Sequence, residues 1–142
     1  MAIDNFTGDF DFLSNFYGEG ITVEHKYQAS KTFDTEWQVM IMRAETPGRA
    51  KRLGRKAPMR DDWDEVKVDI MYELLKEKFQ DPTLAIKLLD TFPTSLIEGN
   101  SWHDNFWGIC SCIKCRTNES YNKLGFLLMR VRSELLTEGI KK

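Results

Sequence analysis

The stretch from Val23 to Phe33 reads VEHKYQASKTF. On a helix it sets a carboxylate at Glu24, an amide at Gln28 and an amine at Lys31 on one stripe, at i, i+4 and i+7. In a helix's first turn the Glu24 carboxylate is held ionised by the dipole, which suits a charge stabiliser better than a proton donor. A lysine drawn partly out of water loses basicity and becomes a nucleophile. The plainer reading keeps both at the surface, Glu24 as a favourable first-turn acid and Lys31 as a solvated amine. His25 and Lys26 fall off the stripe and are expected on the surface, with no metal assigned to His25.

A second group lies in HDNFWG, where Asp104, Trp107 and Gly108 put a carboxylate, a flat aromatic face and a place for close backbone approach in one loop. A base stacked on Trp107 gains about 1–3 kcal/mol; alternatively Trp102, Phe106 and Trp107 are core aromatics beneath a loop. In PGRAKRLGRK the cations are Arg49, Lys51, Arg52, Arg55 and Lys56. Arg55 suits a bidentate grip on phosphate, and the competing reading is a basic helix end complementing its dipole. Ser14 and Asn15 offer donors to sugar hydroxyls or phosphate, or they stabilise a turn. Asn122 and Gly125 offer an amide and close approach, or a helix start and a packing glycine. Cys110, Cys112 and Cys115 stand near His103, but a structural zinc usually draws on two two-ligand knuckles, and the second is missing. The expectation is reduced thiols and no metal.

The elements that must position these residues are mostly helical. At 142 residues, 42% hydrophobic and 30% charged, the chain suits one soluble domain, residues 1–142, able to bury roughly 70% of its unfolded surface. Ile3 to Tyr17 suggests short strands joined by turns. Thr22 caps a helix from Val23, TEWQVMIMRAE forms a second, and Pro47 opens a third, PGRAKRLGRK. Asp61 or Asp62 caps DWDEVKVDIMYELLKEKFQ, with Trp63, Val66, Ile70, Leu74 and Phe79 as its apolar stripe. Pro82 starts TLAIKLLDTF, SLIEG reads as a short strand, and YNKLGFLLMRVRSELL carries Leu124, Leu127, Leu128, Val131 and Leu135 on one face. A net charge of -2 and a pI near 5.7 provide no global positive field for nucleic acid or membrane. No window approaches the roughly 20 apolar residues of a membrane span. With no signal-like start and three crowded cysteines, the expected location is the cytoplasm.

Several segments converge on one family. Leu13 to Tyr17, Val23 to Lys31, Ala50 to Arg55, Asp62-Trp63-Asp64, Asp104 to Gly108, and Asn122 to Gly125 with Leu128, Met129 and Arg132 resemble, in this order, the YbiA-like or NADAR family. Order across nearly the whole chain makes the match specific. The resemblance implies a mainly α (α+β), compact single-domain fold with a few short strands. It also implies an N-glycosidase, without redox cofactor, acting on phosphoribosyl-amine intermediates of riboflavin synthesis or on ADP-ribose attached to guanine. Partners would be a ribosyl phosphate or ADP-ribosyl nucleotide, ADP-ribosylated nucleic acid being a further candidate.

Cleaving a ribosyl C1–N bond builds positive charge at C1 and the ring oxygen, so a carboxylate nearby and a proton for the departing nitrogen are needed. The resemblance puts Glu24, Lys31 and Asp104 in catalytic roles. It puts Ser14, Asn15, Phe16, Gln28, Arg55, Trp63, Trp107, Gly108, Asn122 and Gly125 against the substrate. Lys31 would attack a ring-opened sugar as an imine former; otherwise water attacks directly with carboxylate help. The cysteine segment departs from a shorter, glycine-rich version in some relatives and is a candidate for setting leaving-group specificity. Two rival functions remain, a non-catalytic ADP-ribose or nucleotide-binding module and a nucleic-acid-associated domain using the basic helix.

Overall fold

The computed structural model describes residues 2–141. Among them are six α-helices, one 3₁₀ helix and four strands of two residues each, the mainly helical α+β class expected. The chain divides into two compact units: Asn15–Leu74, and the N-terminal residues through Ser14 taken together with the chain from Leu75 onward.

Asn15–Leu74 contains α1 (Val23–Ser30), α2 (Thr35–Met42), α3 (Pro47–Lys56) and the first part of α4 (Trp63–Lys78). Each of the first three starts on the side chain that local chemistry requires. Asp34 accepts from the Glu36 and Trp37 amides, Thr46 accepts from Arg49, and Pro47 follows it. Thr22 accepts from the His25 amide, while the imidazole reaches back to the Thr22 N–H at 3.1 Å. His25 therefore occupies the third helical position of a capping box, where Glu or Gln is usual. This corrects the surface expectation: His25 is 0% exposed. Its other ring nitrogen lies 2.9 Å from the Ala44 carbonyl, so both nitrogens are satisfied and burial leaves nothing unpaired. Ala29, Ile41 and Ala50 form the core of this unit, with Met42, Ala44, Leu53 and Ala57 against them. Small residues on α1 and α3 let those helices approach closely, and burying Ile41 contributes about 1.5–3 kcal/mol.

In the other unit, β1 (Ala2–Ile3) pairs in parallel with β2 (Ser95–Leu96), and β3 (Gly99–Asn100) with β4 (Ile109–Cys110). The expected strands of Ile3 to Tyr17 reduce to β1, after which Gly8–Leu13 forms a 3₁₀ helix. Phe12 and Leu13 are both buried. Adjacent residues on a strand face opposite ways, so a pair that both point inward suits a three-residue turn better. Asp81 caps α5 (Pro82–Leu89). The buried face of α6 (Lys123–Lys141) carries Leu124, Leu127, Leu128 and Val131, and α5 and β2 pack against this helix. The stripe of α4 is also corrected. Met71, Leu75 and Phe79, at steps of four, are buried with Trp63, whereas Val66, Ile70 and Leu74 are half-buried. Among the described residues no helix is long and apolar enough to cross a membrane.

Candidate active site

The stripe lies along α1 and its C-cap, with the acid and the amide buried and the amine half-buried. Glu24 is 6% exposed and Gln28 3%. Gln28 Nε2 donates to Glu24 Oε1 at 3.1 Å, so the amide orients the carboxylate. Room for Gln28 comes from Gly54 on α3. A Cβ there would overlap the Gln28 side-chain oxygen and stand 2.8 Å from its Cδ and 3.0 Å from its Cβ. Upstream, the Glu24 N–H donates to the Asn15 carbonyl at 3.1 Å, tying the preceding loop to the first turn of α1. Asn15 Nδ2 lies 3.6 Å from Met71 Sδ, and its Oδ1 is buried without a hydrogen-bond partner among the described residues.

Lys31 is the C-cap of α1 and is half-buried. Its backbone is fixed on both sides, its N–H bonded to the Gln28 carbonyl at 3.2 Å and its own carbonyl accepting from Arg60 at 2.7 Å. Burial pushes the Lys31 ammonium below the usual 10.5; Glu24 pulls it back, and Arg55, Lys51 and Lys67 push it down further. Lys67 is absent from the sequence-based site, and Lys51 counted there only as a helix cation. Lys51 is one turn before Arg55 on α3, a spacing that marks it as a partner. Arg55 is exposed. Phe16 is 44% exposed, with Lys51 Nζ 6.0 Å from its ring centre. Trp63 is 4% exposed, and its ring lies 5.1 Å from that of Tyr27, bracing α1. An open depression lined by Thr32, Phe33, Pro58 and Met59 lies in this unit but contains neither Glu24 nor Lys31.

The remaining candidates belong to the other unit. Asp104 Oδ1 accepts from the Phe106 and Trp107 amides at 3.1 and 2.9 Å, holding a turn. Phe106 and Trp107 meet edge to face at 4.9 Å. Gly108 has no space for a side chain, since a Cβ would overlap Glu98. Asn122, at φ 45°, accepts from the Glu98 amide and donates to the Leu96 carbonyl, both at 2.9 Å. A Cβ at Gly125 would overlap the Leu96 carbonyl and the Asn122 side chain. Asn122 and Gly125 thus dock the start of α6 against β2, the packing alternative. The Ser14 carbonyl accepts from Lys78 Nζ at 2.9 Å.

The imidazole of His103 and the thiols of Cys110, Cys112 and Cys115, the four groups that stand near one another in the sequence, lie within 4.8 Å of one another.

Fold and site together define a mainly helical α+β protein with a buried polar helix. The NMR structure of the E. coli protein YbiA matches it with a TM-score of 0.83 at 31% identity, over 100% of this chain and 88% of that one. N-glycosidase YbiA of Escherichia coli is 37% identical over 141 residues, 92% of this chain and 84% of that protein. A riboflavin biosynthesis protein of Vibrio vulnificus is 40% identical over 135 residues, and the chain spans 35% of its length. The family model for the NADAR domain matches residues 10–136, and the chain belongs to that family.

Proposed function

We propose that the chain is an N-glycosidase that hydrolyses the C1–N bond of a phosphorylated ribosylamine of the riboflavin pathway, with ADP-ribosylated guanine as a second substrate to test. The reaction class is supported by the relative named N-glycosidase YbiA, similar over 92% of this chain. The riboflavin direction is supported by the names of relatives in Vibrio vulnificus and Zea mays, of which the chain spans 35% and 20%.

One observation carries the reading: Glu24 and Gln28 are buried and hydrogen-bonded on the same helix that ends at a lysine of lowered basicity. Burying a carboxylate is costly unless it is hydrogen-bonded, and Gln28 supplies such a bond while Glu24 stays within electrostatic reach of Lys31. A ribosylamine opens its ring to an imine at C1. Neutral Lys31 adds to that carbon, the C1–N bond to the base breaks, and the base leaves as an amine that takes up a proton. Water then hydrolyses the Lys31 imine, releasing the sugar phosphate and restoring the amine. Glu24 carries the proton between these steps and balances the developing positive charge. Arg55, Lys51 and Lys67, all within electrostatic reach of Lys31, suit a phosphate. Asn15 Oδ1, buried and unpartnered, suits a sugar hydroxyl. Asp104 and Trp107 have no part in this mechanism.

The test incubates the protein with the ribosylamine phosphate and with ADP-ribosyl guanine, follows released base by mass spectrometry, and adds borohydride during turnover. Release of base with a reduced sugar adduct on the Lys31 peptide is expected. Base release with no adduct would replace the imine with direct attack by water. Tight binding with no release would make the chain a binding module.

A further inference from the structure

We infer that His103, Cys110, Cys112 and Cys115 form a closed, structural zinc site. The reasoning starts from the loop. Between β3 and α6 the only regular element is β4, so few backbone ladders order this segment. Four potential ligands nevertheless converge there. The His103 Nδ1 atom lies 3.3 Å from both Cys115 Sγ and Cys112 Sγ, and 4.0 Å from Cys110 Sγ. A tetrahedron with Zn–S near 2.3 Å and Zn–N near 2.0–2.1 Å has N···S edges of about 3.6 Å and S···S edges of about 3.8 Å. The observed separations bracket the first, and the whole set lies within 4.8 Å.

The backbone is arranged to aim these groups. His103 sits at φ 72°, an uncommon conformation for a residue with a Cβ. Its N–H donates to Cys110 Sγ at 3.3 Å, the kind of bond that steadies a thiolate ligand. Cys110 is held by its own N–H donating to Asn105 Oδ1 at 3.1 Å, and Ser120 Oγ donates to the same oxygen. Cys112 and Cys115 make a two-residue-spaced knuckle, closed by the Cys115 N–H on the Cys112 carbonyl at 3.2 Å. Cys110 and Cys115 are buried and Cys112 is half-buried, while none of the three is in a disulfide. Three thiolates and one imidazole favour zinc over harder cations, and four protein ligands leave no open position for chemistry. Binding exchanges three thiol protons for one Zn²⁺, leaving a site of net charge -1 with neutral histidine. Asp104 to Gly108 lie between the first two ligands, so the metal would fix the loop that carries Trp107.

The full chain, purified under reducing conditions without chelator, is expected to contain about one zinc per chain, which a thiol-modifying reagent releases. Cobalt(II) in its place should give the intense visible bands of tetrahedral coordination together with sulfur-to-cobalt charge transfer. Cys112→Ser should lose the metal and the charge-transfer intensity in proportion, His103→Ala should weaken binding and shift the visible bands, and Lys114→Ala should change neither. Metal below about 0.1 per chain both as purified and after added zinc, together with a featureless cobalt spectrum, would overturn the proposal. So would octahedral cobalt bands, or a disulfide among these cysteines in the reduced, zinc-supplemented protein. If Cys112→Ser does not fold, metal content and the cobalt spectrum of the parent decide alone. None of these readings depends on glycosidase activity.

Discussion

Replacing Gly54 with alanine perturbs the proposed site without touching any group that would do chemistry. The added methyl overlaps the Gln28 oxygen and presses on Gln28 Cδ and Cβ. Gln28 is 3% exposed and cannot swing into water without dragging its stem. Overpacking of this kind costs about 1–3 kcal/mol, while glycine to alanine inside a helix gains about 1 kcal/mol. Stability should therefore fall only slightly, by roughly 0–2 kcal/mol. Activity should suffer more. Displaced Gln28 releases its 3.1 Å bond to Glu24, and a hydrogen bond to a charged group is worth about 1.5–3 kcal/mol. If that bond aims the carboxylate at the transition state, turnover drops by roughly 10- to 100-fold.

Gly48 on the same helix supplies the control. A Cβ there meets only Thr46 Oγ1 at 3.9 Å and Arg52 Nη1 at 4.0 Å, which is ordinary contact. Gly48→Ala should gain up to about 1 kcal/mol and keep its turnover. Urea midpoints and base-release rates for both variants decide the matter. A Gly54→Ala variant as stable and as active as Gly48→Ala would show that the glycine notch does not hold Gln28 on Glu24, and the positioning argument would fail.

Three further outcomes are expected. Glu24→Gln should keep the fold, judged by circular dichroism, and lower turnover by at least about 100-fold; unchanged turnover removes Glu24 from the mechanism. The pH profile of kcat/KM should rise through an inflection below the 10.5 of an ordinary lysine, and Lys51→Met should move that inflection upward because a repelling cation has gone; no movement would disconnect the inflection from Lys31. Burial pushes Lys78 down to about 7, with Asp11 opposing, so between about pH 7 and 10.5 the unfolded chain binds the extra proton and parent stability rises with pH. Lys78→Met should accordingly stabilise by roughly 1–3 kcal/mol at pH 6, with the gain shrinking toward pH 10; a pH-independent difference in urea midpoints contradicts this.

Helix starts were legible because they depend on a residue and its immediate neighbours. Thr22, Pro47 and Pro82 announce their helices locally and sit where those signals place them. Failures came where a local pattern admitted two periods or where the partner is distant in sequence. Phe10 and Phe12 hint at alternation, but the buried neighbour of Phe12 is Leu13. His25 looked like a surface residue because its second hydrogen-bond partner, Ala44, is 19 residues away in sequence, beyond α2. The α4 stripe was read from Val66, Ile70 and Leu74, one position out of phase with the buried Met71 and Leu75. Likewise, burial decides whether Lys31 is a nucleophile, and spacing is silent about burial. The thiol cluster depends on the left-handed turn at His103, which no residue type at that position announces.

The electrostatics of α1 also say when each group is useful in the proposed reaction. Arg55, Lys51 and Lys67 lower the basicity of Lys31 as long as their charges are uncompensated. A phosphate that settles among them cancels part of that field, so substrate binding raises the affinity of Lys31 for a proton. An imine-forming lysine must therefore shed its proton against the effect of its own substrate, and the carboxylate on its helix is the acceptor available. Glu24 also stabilises the ammonium form, which makes the two groups opponents in the free protein and partners only once a proton is in transit. Direct attack by water has no such requirement, because Glu24 then only balances charge and Lys31 does best fully protonated against phosphate. The two routes diverge in free phosphate: under the imine route it should compete with substrate and move a rising inflection of kcat/KM upward, whereas under direct attack, which works best with the ammonium, the inflection that it moves upward should be a falling one.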